Sequence, residues 1–347
     1  MNENKSITIK DIAKECGVGV TTVSRALNNH SDINPETKNK IMEVIDKYGF
    51  VPNNSARHLK MNVSNCIAVL VKGIGNPFFM KMIGIMEKDI QNHNYSMELR
   101  HIDEKTNEVQ VALELIKEKK LQGIVFLGGV PDNIKDKITE IGIPFVLSTF
   151  SIDDEAVSEP YASVAVDDEK ASYMLVSHLI EKGHKKIAIM AANKDDKGIC
   201  KMRLDGYLRA LKEHGIKENP ELIWYAGEND DSYSISMESG YSVMEGKLKT
   251  NLDFTAAYAI SDTMAIGAIR ALNEAGKKVP EDVSVAGFDG IELGRYYVPS
   301  LTTVSQPFET MAHTTMNSLF DAIEKGESKR KILMDATLIQ GESVKAI

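Results

Sequence analysis

The sequence predicts an α/β protein of two doubly wound parallel-sheet lobes, preceded by a small all-helical N-terminal unit. Three observations carry that prediction. The chain has 347 residues, 43% of them hydrophobic and 26% charged, which is enough for more than one well-formed core. From Asn65 onward, short apolar runs bounded by turns alternate with helical segments, the pattern of strands buried on both faces of a parallel sheet. Before that point there are three short amphipathic stretches at helical spacing.

The helical unit is legible residue by residue. In TIKDIAKECGVGVTTVSRALNN, Thr8 and Asp11 make a capping-box-like start, with the acid standing in for Glu or Gln. Ile9, Ile12 and Ala13 share one face, and Gly17 supplies the stop. A second helix spans Val20 to Asn28 with Val23, Ala26 and Leu27 inward and Thr21, Thr22, Ser24 and Arg25 on its other face. Asn34 caps a third helix with Pro35 at its first position, and Ile41, Val44, Ile45 and Tyr48 recur on one side before Gly49. The pattern fits a generic three-helix bundle or a helix-turn-helix unit. The second helix favours the latter, because hydroxyls and a guanidinium suit phosphate oxygens and the O6/N7 edge of guanine. Charge agrees: residues 1–62 hold nine Lys/Arg against seven Asp/Glu, about +2, within a chain of formal charge -9.

Residues 51–63 read either as a plain linker or as a short helix from Ser55 to Lys60. Such a helix is marginal alone, since isolated helices need about 12–15 residues.

In the body, CIAVLVKGI, YSMELRHID, GIVFLGG, IPFVLST, KKIAIMAA, DFTAAYAIS and VSVAGFDG are the strand candidates, with helices such as FFMKMIGIMEKDIQNHNY and 262–275 between them. Ligands in such folds bind where the C-terminal strand ends of the lobes face each other. Enzyme signatures fail. KGIGNPF lacks the third glycine of a dinucleotide loop, GYSVMEGKL has the wrong spacing and no Ser/Thr for a Walker loop, and no G-x-S-x-G elbow occurs. The eight His residues show no metal spacing, and His178 and His184 are expected to finish a surface helix and its turn. Neither catalysis, metal nor cofactor is expected. The opening MNENKSITIKD lacks a signal-peptide core, and no apolar run approaches the roughly 20 residues needed to span a bilayer. Cys16, Cys66 and Cys200 then read as reduced thiols of a cytoplasmic protein without membrane attachment.

TIKDIAKECGVGVTTVSRALNN followed by PETKNKIMEVIDKYGFVPNNSARHLK closely resembles the N-terminus of LacI/GalR-family transcriptional repressors. NPFF (76–79), VDD (166–168), HLIEKGHKKIAIM (178–190), RLDGYLRAL (203–211), SDTMAIGAIRAL (261–272), VAGFDG (285–290) and PSLTTVSQP (299–307) extend the resemblance to nearly the whole chain. It implies a helix-turn-helix DNA-binding domain at 1–50, a hinge at 51–63, and a periplasmic-binding-protein-like effector core at 64–347. The core divides into an N-lobe (64–164 and 293–324) and a C-lobe (165–292 and 325–347). The implied DNA contacts are Thr8, Val20, Thr21, Thr22, Ser24, Arg25 and Asn28. In the hinge they are Arg57, Leu59 and Lys60, with Leu59 wedging the minor groove. The implied effector contacts are Phe78, Asp167, Arg203, Ser261, Asp262 and Asp289. Asp262 could instead cap the helix after it, Asp167 could be structural, and Phe79 is expected in the core. The chain departs from the family pattern with Gly19 for a capping Ser, Asp168 for Asn and Ala171 for Gly. The implied function is a homodimeric, sequence-specific regulator, a repressor, binding a palindromic operator in double-stranded DNA under control of a sugar-like effector. An alternative is a catabolite-control-type regulator answering to a phosphorylated carrier protein.

Overall fold

The computed structural model describes residues 7–27, 33–50, 65–103, 106–129, 137–152, 161–192, 194, 198–226, 235–250, 252–327 and 330–347. The chain separates into two compact units, 1–64 and 65–347.

In the first unit α1 spans Ile9–Cys16, α2 Val20–Leu27 and α3 Pro35–Tyr48. The Thr8 amide and hydroxyl both donate to Asp11, at 2.9 and 2.6 Å, which fixes the start of α1. Gly17 ends it in the left-handed conformation at φ 71°. Asn34 accepts from the amides of Glu36 and Thr37 at 2.8 and 3.4 Å, capping α3. Ile12, Ala13, Cys16, Val23, Ala26, Ile41 and Ile45 form the core. Tyr48 departs from the expected inward face: it is 41% exposed, and its hydroxyl donates to Glu15 at 3.1 Å. A phenol in the last turn of α3 keeps its polar end wet. Asn28 and the whole 51–63 segment lie outside the described residues.

The second unit holds two six-stranded sheets. The strands of the first are β1 (Cys66–Lys72), β2 (Ser96–Ile102), β3 (Gly123–Leu127), β4 (Phe145–Ser148), β5 (Ala162–Val166) and β11 (Arg330–Met334). They run in the order β2-β1-β3-β4-β5-β11, all parallel. Helices α4 (Pro77–Asn92), α5 (Glu108–Lys119) and α11 (Phe308–Lys325) belong to this lobe. Along β1, Ile67, Val69 and Val71 enter the core on one face, and Cys66, Ala68 and Leu70 the core on the other. This is why the strand reads as an unbroken apolar run.

The second sheet comprises β6 (Ile187–Ala191), β7 (Ile223–Tyr225), β8 (Ala256–Ala259), β9 (Ser284–Asp289), β10 (Thr302–Ser305) and β12 (Thr337–Ile339). Its order is β7-β6-β8-β9-β10-β12, with β12 antiparallel to β10. It carries α6 (Asp168–Glu181), α7 (Ile199–Glu213), α8 (Met237–Leu248), α9 (Asp262–Glu274) and the short α10 (Glu292–Tyr296).

Two expectations need correction here. Residues 293–305 stay with the C-lobe, because β10 pairs with β9, and β11 at 330–334 belongs to the N-lobe, because it pairs with β5. The chain therefore crosses between lobes near Asp167, near Gln306 and near Asp335; a 2.7 Å ion pair from Lys170 to Asp335 ties the first and third crossings together. His178 and His184 are not at the surface. They are 7% and 1% exposed, and the ring nitrogens of His184 lie 3.0 Å from the Thr255 hydroxyl and 3.1 Å from the Lys345 carbonyl. The C-terminal segment folds over this turn, with the Ile347 amide donating to the Lys182 carbonyl. Burial lowers both imidazole pKa values, so the rings favour the neutral form.

Candidate functional site

In the first unit α2 buries Val23 and Ala26, which turns Val20, Thr21 and Arg25 to solvent with Thr22 and Ser24 half-buried beside them. Val20 is 41% exposed, an apolar side chain that no core in this unit covers. Thr8 is exposed at the start of α1. Gly19 precedes α2 and its carbonyl accepts from Thr22 and Val23. A side chain there would meet only the Thr22 hydroxyl, at 3.8 Å. The face thus offers one methyl-bearing contact, hydroxyls and a guanidinium within two turns of helix, a set able to read base edges and hold phosphates. Asn28, Arg57, Leu59 and Lys60 fall outside the described residues.

The second unit has its switch points between β1 and β3 and between β6 and β8, where the strand order reverses in each sheet. The segments just beyond the C-terminal strand ends line one cleft of about 770 Å³. Gly73–Asn76 follow β1, Gly128 and Gly129 follow β3, and Thr149 follows β4; Ala192, Ser261, Asp289 and Gln306 close it from the other sheet. Glycine is required at 128, where φ is 69° and an added Cβ would sit 2.6 Å from the Lys72 carbonyl. Thr149 (φ 75°) and Asp289 (φ 112°) are non-glycine residues in strained backbone, one on each wall.

The chemistry of the cleft centres on Arg203, which α7 delivers at 5% exposure. Its guanidinium stacks 3.6 Å from the centroid of Phe288. Nε donates to Asp168 at 2.8 Å, Nη1 donates to the Ile260 carbonyl, and Asp289 lies 3.7 Å from Nη1. Asp289 also accepts from Asn76 Nδ2 at 2.7 Å, across the cleft, and from Gln306 Nε2 at 2.8 Å. Burial would lower the Arg203 pKa, but the carboxylates of Asp168 and Asp289 outweigh it and raise it. Burial pushes Asp168 up to about 6 against the pull of Arg203; its Oδ2 has no partner among the described residues. Burial raises Asp289 as well. On the other wall Lys72 donates to the Glu108 carboxylate at 3.1 Å and to the Thr106 carbonyl at 3.1 Å.

Of the residues expected to face an effector, Phe78, Arg203, Ser261 and Asp289 line the cleft. Phe78 is 4% exposed and also belongs to the N-lobe core, whereas Phe79, expected in the core, is half-buried, packing against that core and lining the cleft as well. The other two differ. Asp167 is exposed at the first lobe crossing and caps α6, accepting from the Lys170 amide at 2.9 Å. Asp262 is fully buried and does not cap α9; Ser261 does, accepting from the Met264 amide at 3.2 Å. Asp262 instead accepts from the Ile291 amide at 2.7 Å and the Thr303 hydroxyl at 2.6 Å, fixing the loop that follows Asp289 at the end of β9. Sequence reasoning missed Asn76, Gln306, Thr149 and the Lys72–Glu108 pair. It noted Asp168 only as a departure, without the pairing to Arg203.

A helix-turn-helix unit followed by a two-lobed binding core with a polar cleft at its strand ends defines a ligand-responsive regulator of transcription. Residues 8–53 match the description "Bacterial regulatory proteins, lacI family", and residues 176–344 match "Periplasmic binding protein-like domain". The HTH-type transcriptional regulator MalR of Clostridium butyricum is 39% identical over 339 residues, covering 97% of this chain and 99% of the relative. Among solved structures, the lac repressor dimer bound to operator and an anti-inducer superposes with a TM-score of 0.79 at 23% identity, covering 99% and 100% of the two chains. The regulator CelR in complex with cellobiose gives 0.70 at 25% identity, covering 97% and 99%. The chain belongs to the lacI family of bacterial transcriptional regulators.

Proposed function

We propose that this regulator is a repressor that reads a palindromic operator as a homodimer through α2, and that a sugar or sugar derivative occupying the cleft controls its grip on DNA. The observation that carries this reading is the joint presence of an exposed base-reading helix face and a buried polar cleft whose Asp289 already spans the lobes through Asn76. A ligand that inserts between Asn76 and Asp289 must change the lobe-to-lobe contact, which couples occupancy to conformation. That CelR, a similar regulator, forms a complex with cellobiose supports a sugar as the effector class. Thr8, Val20, Thr21, Thr22, Ser24, Arg25 and Asn28 are assigned to DNA, with Arg57, Leu59 and Lys60 in the hinge; Arg203, Ser261 and Asp289 contact effector, and Phe78, Asp167 and Asp262 support that wall.

No catalytic role is assigned. Asp289 and Asp262 are held by hydrogen bonds, and Arg203 is stacked and paired, an arrangement for binding. No observation favours control by a phosphorylated carrier protein. The test is binding of the purified full-length chain to palindromes upstream of its own gene against scrambled duplexes of equal length. A clear preference supports the reading, and equal affinity for both contradicts it.

A further inference from the structure

An arginine on a cleft wall ordinarily recruits phosphate or carboxylate through a bidentate fork. Here the positive charge of the guanidinium is already balanced, although Nη2 keeps N–H donors that hydroxyls can use. Nε of Arg203 is held by Asp168 at 2.8 Å, Nη1 by the Ile260 carbonyl, and Asp289 stands 3.7 Å away. The other cation of the cleft, Lys72, is paired with Glu108 at 3.1 Å, and both side chains are buried. Among the described residues, two cations at the cleft thus face four carboxylates: Asp103 and Asp289 on the lining, and Asp168 and Glu108 behind the cations they hold. The imidazole of His101 and the thiol of Cys200 are the further titratable groups on the described lining. An anionic ligand would meet cations whose charge buried carboxylates already balance, and would face Asp289 and Asp103 as it entered. Uncharged hydroxyls face no such obstacle. They can accept from the amides of Asn76 and Gln306 and donate to the remaining lone pairs of Asp289, while Phe79, Ile199 and Met237 offer apolar surface to a ring face.

We propose that the cleft excludes anionic ligands in favour of uncharged polyhydroxyl ones, and that Asp168, which does not line the cleft, sets this selectivity as a positioning residue by keeping the charge of Arg203 committed. The proposal rests on the effector reading of the cleft given above. It makes Asp168, at 1% exposure, a determinant of which effector class is admitted rather than a structural acid alone.

The test is calorimetric titration of the full-length chain and its Asp168→Asn variant at constant ionic strength and pH 7.5. The probes are inorganic phosphate, ribose 5-phosphate and glucose 6-phosphate against ribose, maltose and cellobiose. The wild type should show no saturable binding of the three anions at millimolar concentration. Asp168→Asn should gain at least about tenfold in anion affinity, given one unit charge removed within a few ångströms in a medium of low effective dielectric. Its affinity for any neutral sugar bound by the wild type should change much less, and Asp168→Glu should restore exclusion. A purely structural role for Asp168 would move both ligand classes together. Should Asp168→Asn fail to fold, Glu108→Gln applies the same test at Lys72 and should also raise anion affinity. Wild-type binding of a sugar phosphate as tight as that of its parent sugar overturns the proposal, as does an Asp168→Asn variant with no gain for anions. A wild type that takes none of the three sugars, with a variant that gains phosphate, sinks the sugar reading and leaves the charge filter standing.

Discussion

The helix face of α2 and the cleft of the binding core place functional side chains in opposite environments. On α2 the candidate groups are exposed or half-buried, and the fold beneath them is a small core of seven buried residues among those described. In the cleft they are buried, and the fold depends on their charges being mutually satisfied. A change on α2 should therefore alter recognition with little loss of stability, while a change in the cleft should alter both at once.

The largest expected effect lies in the cleft. Arg203→Met leaves Asp168 and Asp289 without their shared cation, and losing one partner of a buried pair costs about 3–5 kcal/mol. Urea unfolding of the core should show that loss, and a change below about 1 kcal/mol would mean the carboxylates do not rely on Arg203. Next comes the pH dependence of Asp168. Its carboxyl titrates near 3.8 when unfolded and near 6 when folded, so between those values the folded state carries the extra proton. The burial penalty is fully present above pH 6 and is relieved as pH falls toward 3.8, by about 3 kcal/mol in all. Stability of the wild type relative to Asp168→Asn should therefore rise on acidification through that window, and a constant difference would contradict the assignment. On α2 the effects are smaller and of another kind. Arg25→Ala should weaken specific operator binding by about 1–3 kcal/mol while leaving the melting of the core unchanged, and equal loss on random duplex would remove Arg25 from base reading. The smallest is Gly19→Ser. The site has room for a side chain, and a better N-cap should stabilise the helical unit by only a few tenths of a kcal/mol in thermal unfolding.

The same contrast explains what was legible in the sequence. The helices of the first unit could be placed from caps and apolar spacing, since Gly17, Asn34 and Gly49 act locally. Seven of the twelve strands among the described residues stood out as apolar runs, whereas β5 (ASVAV), the three-residue edge strand β7, and β10, β11 and β12 were not identified. These are short or polar segments stabilised by partners far away in the chain, and the lobe boundaries shifted with them because β10 and β11 decide where the chain crosses. In the cleft, Arg203 and Asp289 could be named from the resemblance. The partner of Arg203 could not, because Asp168 stands 35 residues away on another helix and only packing of α6 on α7 joins them. The same limit applied to Asp262, whose acceptors serve a loop 29 residues on, and to the Phe78–Phe79 pair, where adjacent rings must diverge and only the fold decides which is buried.

The coupling between cleft and helix is best measured directly, as operator affinity of the full-length chain with and without a saturating cleft ligand, together with ligand affinity with and without operator. The account predicts that the two ratios are equal and differ from one by about 5–150-fold, as linkage requires. Operator affinity that does not move when the cleft is saturated would contradict it.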